Sequence, residues 1–170
     1  DPAILSMKSD PADDCPQTIS ETPVLIGCRT DKDTLRLKLL SNTRRSLEQP
    51  VGSESNITVG NGKCNVITSS PTLIVCDVKT VDIWKDGQGT NAAVTVRTSN
   101  GKDTSSQNIP ALFSFAPPHI DRIDGTMTPE GGSIISVLGR NFGPTETTLT
   151  VQIGDVEISN HFFAPSDFEP

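Results

Sequence analysis

Between positions 117 and 154 the chain reads Pro117-Pro118-His119-Ile120, then Gly131-Gly132-Ser133-Ile134-Ile135-Ser136-Val137-Leu138-Gly139-Arg140-Asn141-Phe142-Gly143, then Val151-Gln152-Ile153-Gly154. This pattern of strands and turns leaves little room for anything but β-structure. The diproline fixes φ at the opening, and the alternation over 133–138, rich in β-branched residues, predicts a half-buried strand. Gly139 and Gly143 bracket Asn141-Phe142, which suits a turn needing permissive backbone angles while one aromatic ring drops into the core. Residues 148–153 resume the strand pattern and Gly154-Asp155 ends it. Gly131-Gly132 precedes a strand, whereas a phosphate cradle needs a following helix, so residues 125–132 read as a turn.

A looser version of the pattern occurs earlier. Thr34-Leu35-Arg36-Leu37-Lys38-Leu39 alternates too regularly for a helix, and Ala92 to Thr98 and Ala111 to Phe115 read as late strands, with Gly87-Gln88-Gly89 and an Asn100-Gly101 hairpin turn between or beside them. Aromatic residues make up only 4% of the chain, while Gly and Pro number 13 each. Many turns and small β-branched core residues are the composition of an all-β sandwich. The chain's 170 residues accommodate one large or two small domains, and the restart at Pro117 favours two, over 1–116 and 117–170. The second has its opening strands but not the later ones that the first shows over 72–115. Left so, it exposes apolar surface and open edges. It is therefore expected to be incomplete in this chain, finished by later sequence or by a neighbour's strand.

The second pattern resembles the IPT/TIG family of immunoglobulin-like (E-set) domains, whose repeats open with Pro-x-Ile, a Gly-Gly-x-x-Ile strand and a Gly-x-Asn-Phe-Gly turn. The first module carries the other half of the family pattern. Ile57-Thr58-Val59-Gly60-Asn61-Gly62-Lys63-Cys64-Asn65-Val66 and Ser70-Pro71-Thr72-Leu73-Ile74-Val75-Cys76 resemble the Val-x-Val-Gly…Cys…Ser…Ile-x-Cys stretch of extracellular TIG domains such as those of plexins. The resemblance implies tandem immunoglobulin-like sandwiches without catalytic function. It departs from the family at Leu39-Leu40-Ser41-Asn42-Thr43, where the second module has Gly-Arg-Asn-Phe-Gly.

Four cysteines, Cys15, Cys28, Cys64 and Cys76, permit three pairings, and the residues alone leave these open. The family resemblance implies Cys64 with Cys76. The stretch from Cys15-Pro16 to Gly27-Cys28-Arg29-Thr30 resembles the paired-cysteine opening of many protist TIG repeats, which implies Cys15 with Cys28. Zinc wants closely spaced pairs such as Cys-x-x-Cys, and this chain does not supply them. Structural disulfides point to an oxidising compartment, hence to a secreted or cell-surface protein. Asn56-Ile57-Thr58 is the single N-glycosylation triplet. Such triplets arise by chance in Ser/Thr-rich chains, but in a secreted protein Asn56 is expected to carry a glycan on an exposed edge.

The net charge is −7 and the basic residues are scattered, with Arg44-Arg45 the only adjacent pair. That argues against nucleic acid, which needs a clustered basic surface, and against the DNA-holding sandwiches of Rel-type factors. No apolar run approaches the length of a membrane span. The two histidines, His119 and His161, accompany no nucleophile motif, so no catalytic residue is assigned. Asp10, Asp13 and Asp14, Asp31 with Asp33, and Asp121 with Asp124 lack the spacing of a calcium loop and read as solvated turns; no metal or cofactor is expected. Trp84, in Val81-Asp82-Ile83-Trp84-Lys85-Asp86-Gly87, either projects from a loop as a contact for a partner or sugar, or covers the sandwich end. The sequence therefore describes a structural or adhesive module of a surface-exposed repeat protein, assembling into extracellular fibrils through neighbouring repeats or self-association, with glycans as further partners. The alternatives are a ligand-binding receptor ectodomain and an accessory domain of a polysaccharide-active enzyme.

Overall fold

A computed structural model describes residues 3–18, 22–42, 56–70, 72–84, 89–97, 103–105, 107–144 and 150–158. Strands dominate, as the alternation requires. They are β1 (Ile4–Ser9), β2 (Gln17–Thr18), β3 (Val24–Cys28), β4 (Thr34–Ser41), β5 (Asn56–Val59), β6 (Gly62–Ser69), β7 (Leu73–Lys79), β8 (Ala92–Arg97), β9 (Leu112–Phe115), β10 (His119–Asp124), β11 (Ser136–Arg140), β12 (Val151–Ile153) and β13 (Val156–Ile158). The Asn100-Gly101 turn, Gly87-Gln88, Arg44-Arg45 and His161 lie outside the described residues.

The first nine strands form one hydrogen-bonded ribbon in the order β1-β4-β7-β6-β5-β8-β9-β3-β2. The ribbon curls until β1 lies against β3, so its inner faces enclose a single apolar core, the two-layered arrangement of an immunoglobulin-like sandwich. Side-chain alternation decides which residues enter it. Leu35, Leu37 and Leu39 of β4 are fully buried and lie opposite Val78, Cys76 and Ile74 of β7. Ile57 and Val59 of β5 likewise face Val96 and Val94 of β8. Each such side chain contributes about 1.5–3 kcal/mol by leaving water. Phe113 and Phe115 meet edge to face at 5.0 Å where β9 closes the core.

β9 pairs antiparallel with β8 on one side and parallel with β3 on the other, Val24 opposite Leu112, Leu25 opposite Phe113 and Cys28 opposite Phe115. The register slips between Leu25 and Cys28, where Gly27 takes φ 77°, a conformation that costs glycine little. The Ala116 N–H then donates to the Cys28 carbonyl at 2.8 Å.

Beyond Ala116 the structure repeats itself on a smaller scale. β10 pairs antiparallel with β11 as β1 does with β4, and each pair carries a register shift near its start, between Ile4 and Ser6 and between Ile120 and Arg122. Two differences from the sequence expectation stand out. The strand expected over 133–138 is β11, which begins only at Ser136: the Thr128 N–H donates to Ser133 Oγ at 2.9 Å and keeps Ser133 in the preceding turn, where Gly131 and Gly132 hold φ 78° and 75°. Gly139 lies inside that strand, and it is needed for close approach: a Cβ there would sit 2.1 Å from the His119 carbonyl oxygen. The chain after Gly154-Asp155 turns back as β13 against β12.

The segment that ends at Trp84 holds a short helix that neither reading of Trp84 names. Thr80–Trp84 forms one helical turn, α1. Its start is fixed by tertiary contacts, with Thr80 donating from its backbone N–H to the Asp33 carbonyl at 3.0 Å and from Oγ1 to the Lys32 carbonyl. Ile83 is fully buried. A five-residue turn anchored in this way carries no readable period in sequence.

Candidate interaction surfaces

Both disulfides belong to the core of the first sandwich. Pairing of β6 with β7 sets Cys64 opposite Val78 and Val66 opposite Cys76, so the two cysteines are diagonal neighbours on one face. They are bonded across a Cα separation of 5.5 Å, and both are buried. Cys15 is bonded to Cys28 across 4.0 Å. Around it, the Cys15 N–H donates to Ser9 Oγ at 3.0 Å and the Arg29 N–H to the Asp14 carbonyl at 2.8 Å. All four thiols are thus consumed, which fits an oxidising, extracellular setting.

Of the acidic runs, Asp10, Asp14, Asp31, Asp121 and Asp124 form ion pairs. Asp10, Asp14, Lys32, Thr34, Arg36 and Asp77, with Pro11, line a shallow cleft of about 240 Å³. Each carboxylate there has a cation: Lys38 Nζ lies 2.9 Å from Asp10, Lys32 Nζ 2.6 Å from the buried Asp14, and Arg36 donates twice to Asp77, at 2.9 and 3.1 Å. The hydrogen bond from Lys38 holds the Asp10 carboxyl below the usual aspartate range. The Arg29 guanidinium does the same for Asp31. Among the described residues no three His, Cys, Asp or Glu side chains gather as a metal site. The cleft is a neutralised network across β1, β4 and β7.

The β10–β11 ribbon has two unlike faces. His119 Nε2 and Arg140 Nη1 both approach Asp121 Oδ1, at 3.3 and 3.0 Å, and Arg122 pairs with Asp124 at 2.8 Å. Arg140 therefore ties β11 to β10, while the His119 contact stays within β10. Ile120 and Ile123, by contrast, are 55% and 58% exposed, and Ile123 lies opposite Val137.

Asn56 begins β5 with its side chain exposed, opposite Arg97 of β8. Trp84 ends α1 and is partly buried, its ring 5.3 Å from that of Phe115 and close over Gly89. The indole thus covers one end of the core.

Two features escaped the sequence reading. Leu40 of β4 and Leu73 of β7 are paired on the outer face and exposed, with Leu5 of β1 beyond them. The Leu39-Leu40 doublet, which breaks the alternation of β4, is the local signal for this stripe. The other feature is a contact between the Gly143 N–H and Thr30 Oγ1 at 3.2 Å. No local pattern announces a contact between residues so far apart in the chain.

The IPT/TIG domain profile matches this chain twice, over residues 51–113 and 118–167. No curated protein and no solved structure matches it. Among the described residues no helix is long and apolar enough to cross a membrane.

Proposed function

The chain belongs to the IPT/TIG domain family, and from that premise we propose that it is a non-catalytic structural or adhesive segment of a secreted or surface-exposed repeat protein whose arrays assemble into extracellular fibrils. The observation that carries this reading is the repetition itself, with β10–β11 retracing β1–β4 down to the register shift. A repeated sandwich offers neighbours the same edges and faces at regular spacing, as an array requires. Residues 1–116 and 117–170 are its two units, and the partners are neighbouring repeats or other protein domains. The two core disulfides support an extracellular address. Asn56, exposed at the head of β5, carries an N-linked glycan, and the outer face of Trp84 is left for contact with a neighbour or a sugar.

Electron microscopy of the native material tests this. Regular filaments are the expected outcome, whereas monodisperse particles would overturn the fibrous reading and favour a receptor or enzyme accessory.

A further inference from the structure

The Gly139-Arg140-Asn141-Phe142-Gly143 motif reaches beyond its own ribbon. Its turn runs back to the first sandwich, where the Gly143 N–H donates to Thr30 Oγ1 at 3.2 Å. Thr30 is 0% exposed and follows closely on Cys28, which is bonded to Cys15. The acceptor is thus held on a cross-linked part of the fold. Pro144, next along the turn, is buried as well.

The turn is shaped for this approach. Asn141 and Gly143 take φ 61° and 104°, left-handed angles that Asn and Gly tolerate best. Asn141 Nδ2 reaches toward the Pro117 carbonyl at 3.5 Å, drawing the turn over the linker. The linker is itself fastened at its start, through the bond from the Ala116 N–H to the Cys28 carbonyl. Only two prolines separate that bond from β10, and their fixed φ limits how far the ribbon can swing. A tether this short and stiff presents the turn to Thr30 at high effective concentration, so a single hydrogen bond suffices to keep it seated.

We propose that residues 141–144 form a docking surface whose partner is the preceding sandwich of the same chain, a joint that fixes the angle between successive modules. The motif then both builds its own module and orients that module on its neighbour. The joint is independent of whether the array serves as fibre, receptor or accessory domain, so filament formation and joint rigidity can fail separately.

Nuclear magnetic relaxation on the full chain tests it. In the wild type the amides of β1 to β9 and those of β10 and β11 are expected to share one rotational correlation time, and the Gly143 amide to exchange slowly. Thr30→Val removes the acceptor while keeping the volume; it should separate the two correlation times and speed Gly143 exchange roughly tenfold, the scale of one lost hydrogen bond. Thr30→Ser should behave as wild type. Independent tumbling in the wild type would overturn the proposal, as would a folded Thr30→Val chain with both readouts unchanged. The wild-type measurement decides even if the valine variant fails to fold.

Discussion

Leu37 and Leu40 sit on one strand and differ in almost everything that matters energetically. Leu37 is 0% exposed and faces Cys76, whereas Leu40 is 41% exposed and paired outward with Leu73. Leu37→Ala is expected to cost about 2–5 kcal/mol in chemical denaturation, since the cavity it leaves is closed on every side. Leu40→Lys should stay within about 0.5 kcal/mol of wild type, as surface changes usually do. A second residue-level expectation concerns acid. Asp10 and Asp31 have carboxyls depressed by hydrogen bonds from Lys38 and Arg29. A carboxyl lowered in the folded state stabilises the fold above its unfolded pKa, and that contribution is lost as pH falls through the folded value. Stability should therefore be level near neutrality and decline below about pH 4. Carbon-detected titration should place both midpoints below the ordinary aspartate value.

At the scale of elements, the Cys64–Cys76 bridge staples β6 to β7 and closes a chain separation of 12 residues. Replacing both cysteines by serine is expected to lower unfolding free energy by about 2–4 kcal/mol, read from urea denaturation, mainly by freeing the unfolded chain. How much of each element was legible depends on where its determinants lie. β4 was readable because Leu35, Leu37 and Leu39 alternate with polar residues, and the burial of one face is written locally. Family resemblance carried the expectations for β5 to β7. α1 was not readable, since Thr80 is held by carbonyls of Lys32 and Asp33, far upstream. β11 was displaced by three residues because the Thr128 to Ser133 hydrogen bond lengthens the turn, a competition between turn and ladder that periodicity does not weigh. The Thr30 contact was invisible for a stronger reason: Thr30 looks ordinary in its segment, and the motif that holds Gly143 reads as a turn of its own module.

At the scale of the whole molecule, the glycan expectation is the most direct to examine. Produced through a eukaryotic secretory pathway, the chain should exceed its 18.1 kDa polypeptide mass, and Asn56→Gln should remove the increment. An unmodified wild-type mass would leave Asn56 as an ordinary exposed residue at the head of β5. The outer stripe of Leu5, Leu40 and Leu73 lies on another part of the ribbon, at β1, β4 and β7. A glycan at Asn56 would therefore add a hydrophilic mass at β5 while leaving those strands uncovered.

The parallel pairing of β3 with β9 has a mechanical consequence. When tension leaves at the end of β9, the loading of this ladder depends on where the pull enters β3: at Val24 the bonds are sheared together, whereas at Cys28, opposite Phe115, they open one at a time from that end. Cys28 stands at the end of this ladder and is covalently joined to Cys15, so pull entering at the start of the chain passes through β1 and the sulfur bridge to the same ladder. Stretched between its ends, the first module should therefore release its β3–β9 ladder at low force in force spectroscopy while Cys15–Cys28 is intact, and reduction of that bridge should move the point of entry to Val24 and raise the force at which the ladder breaks.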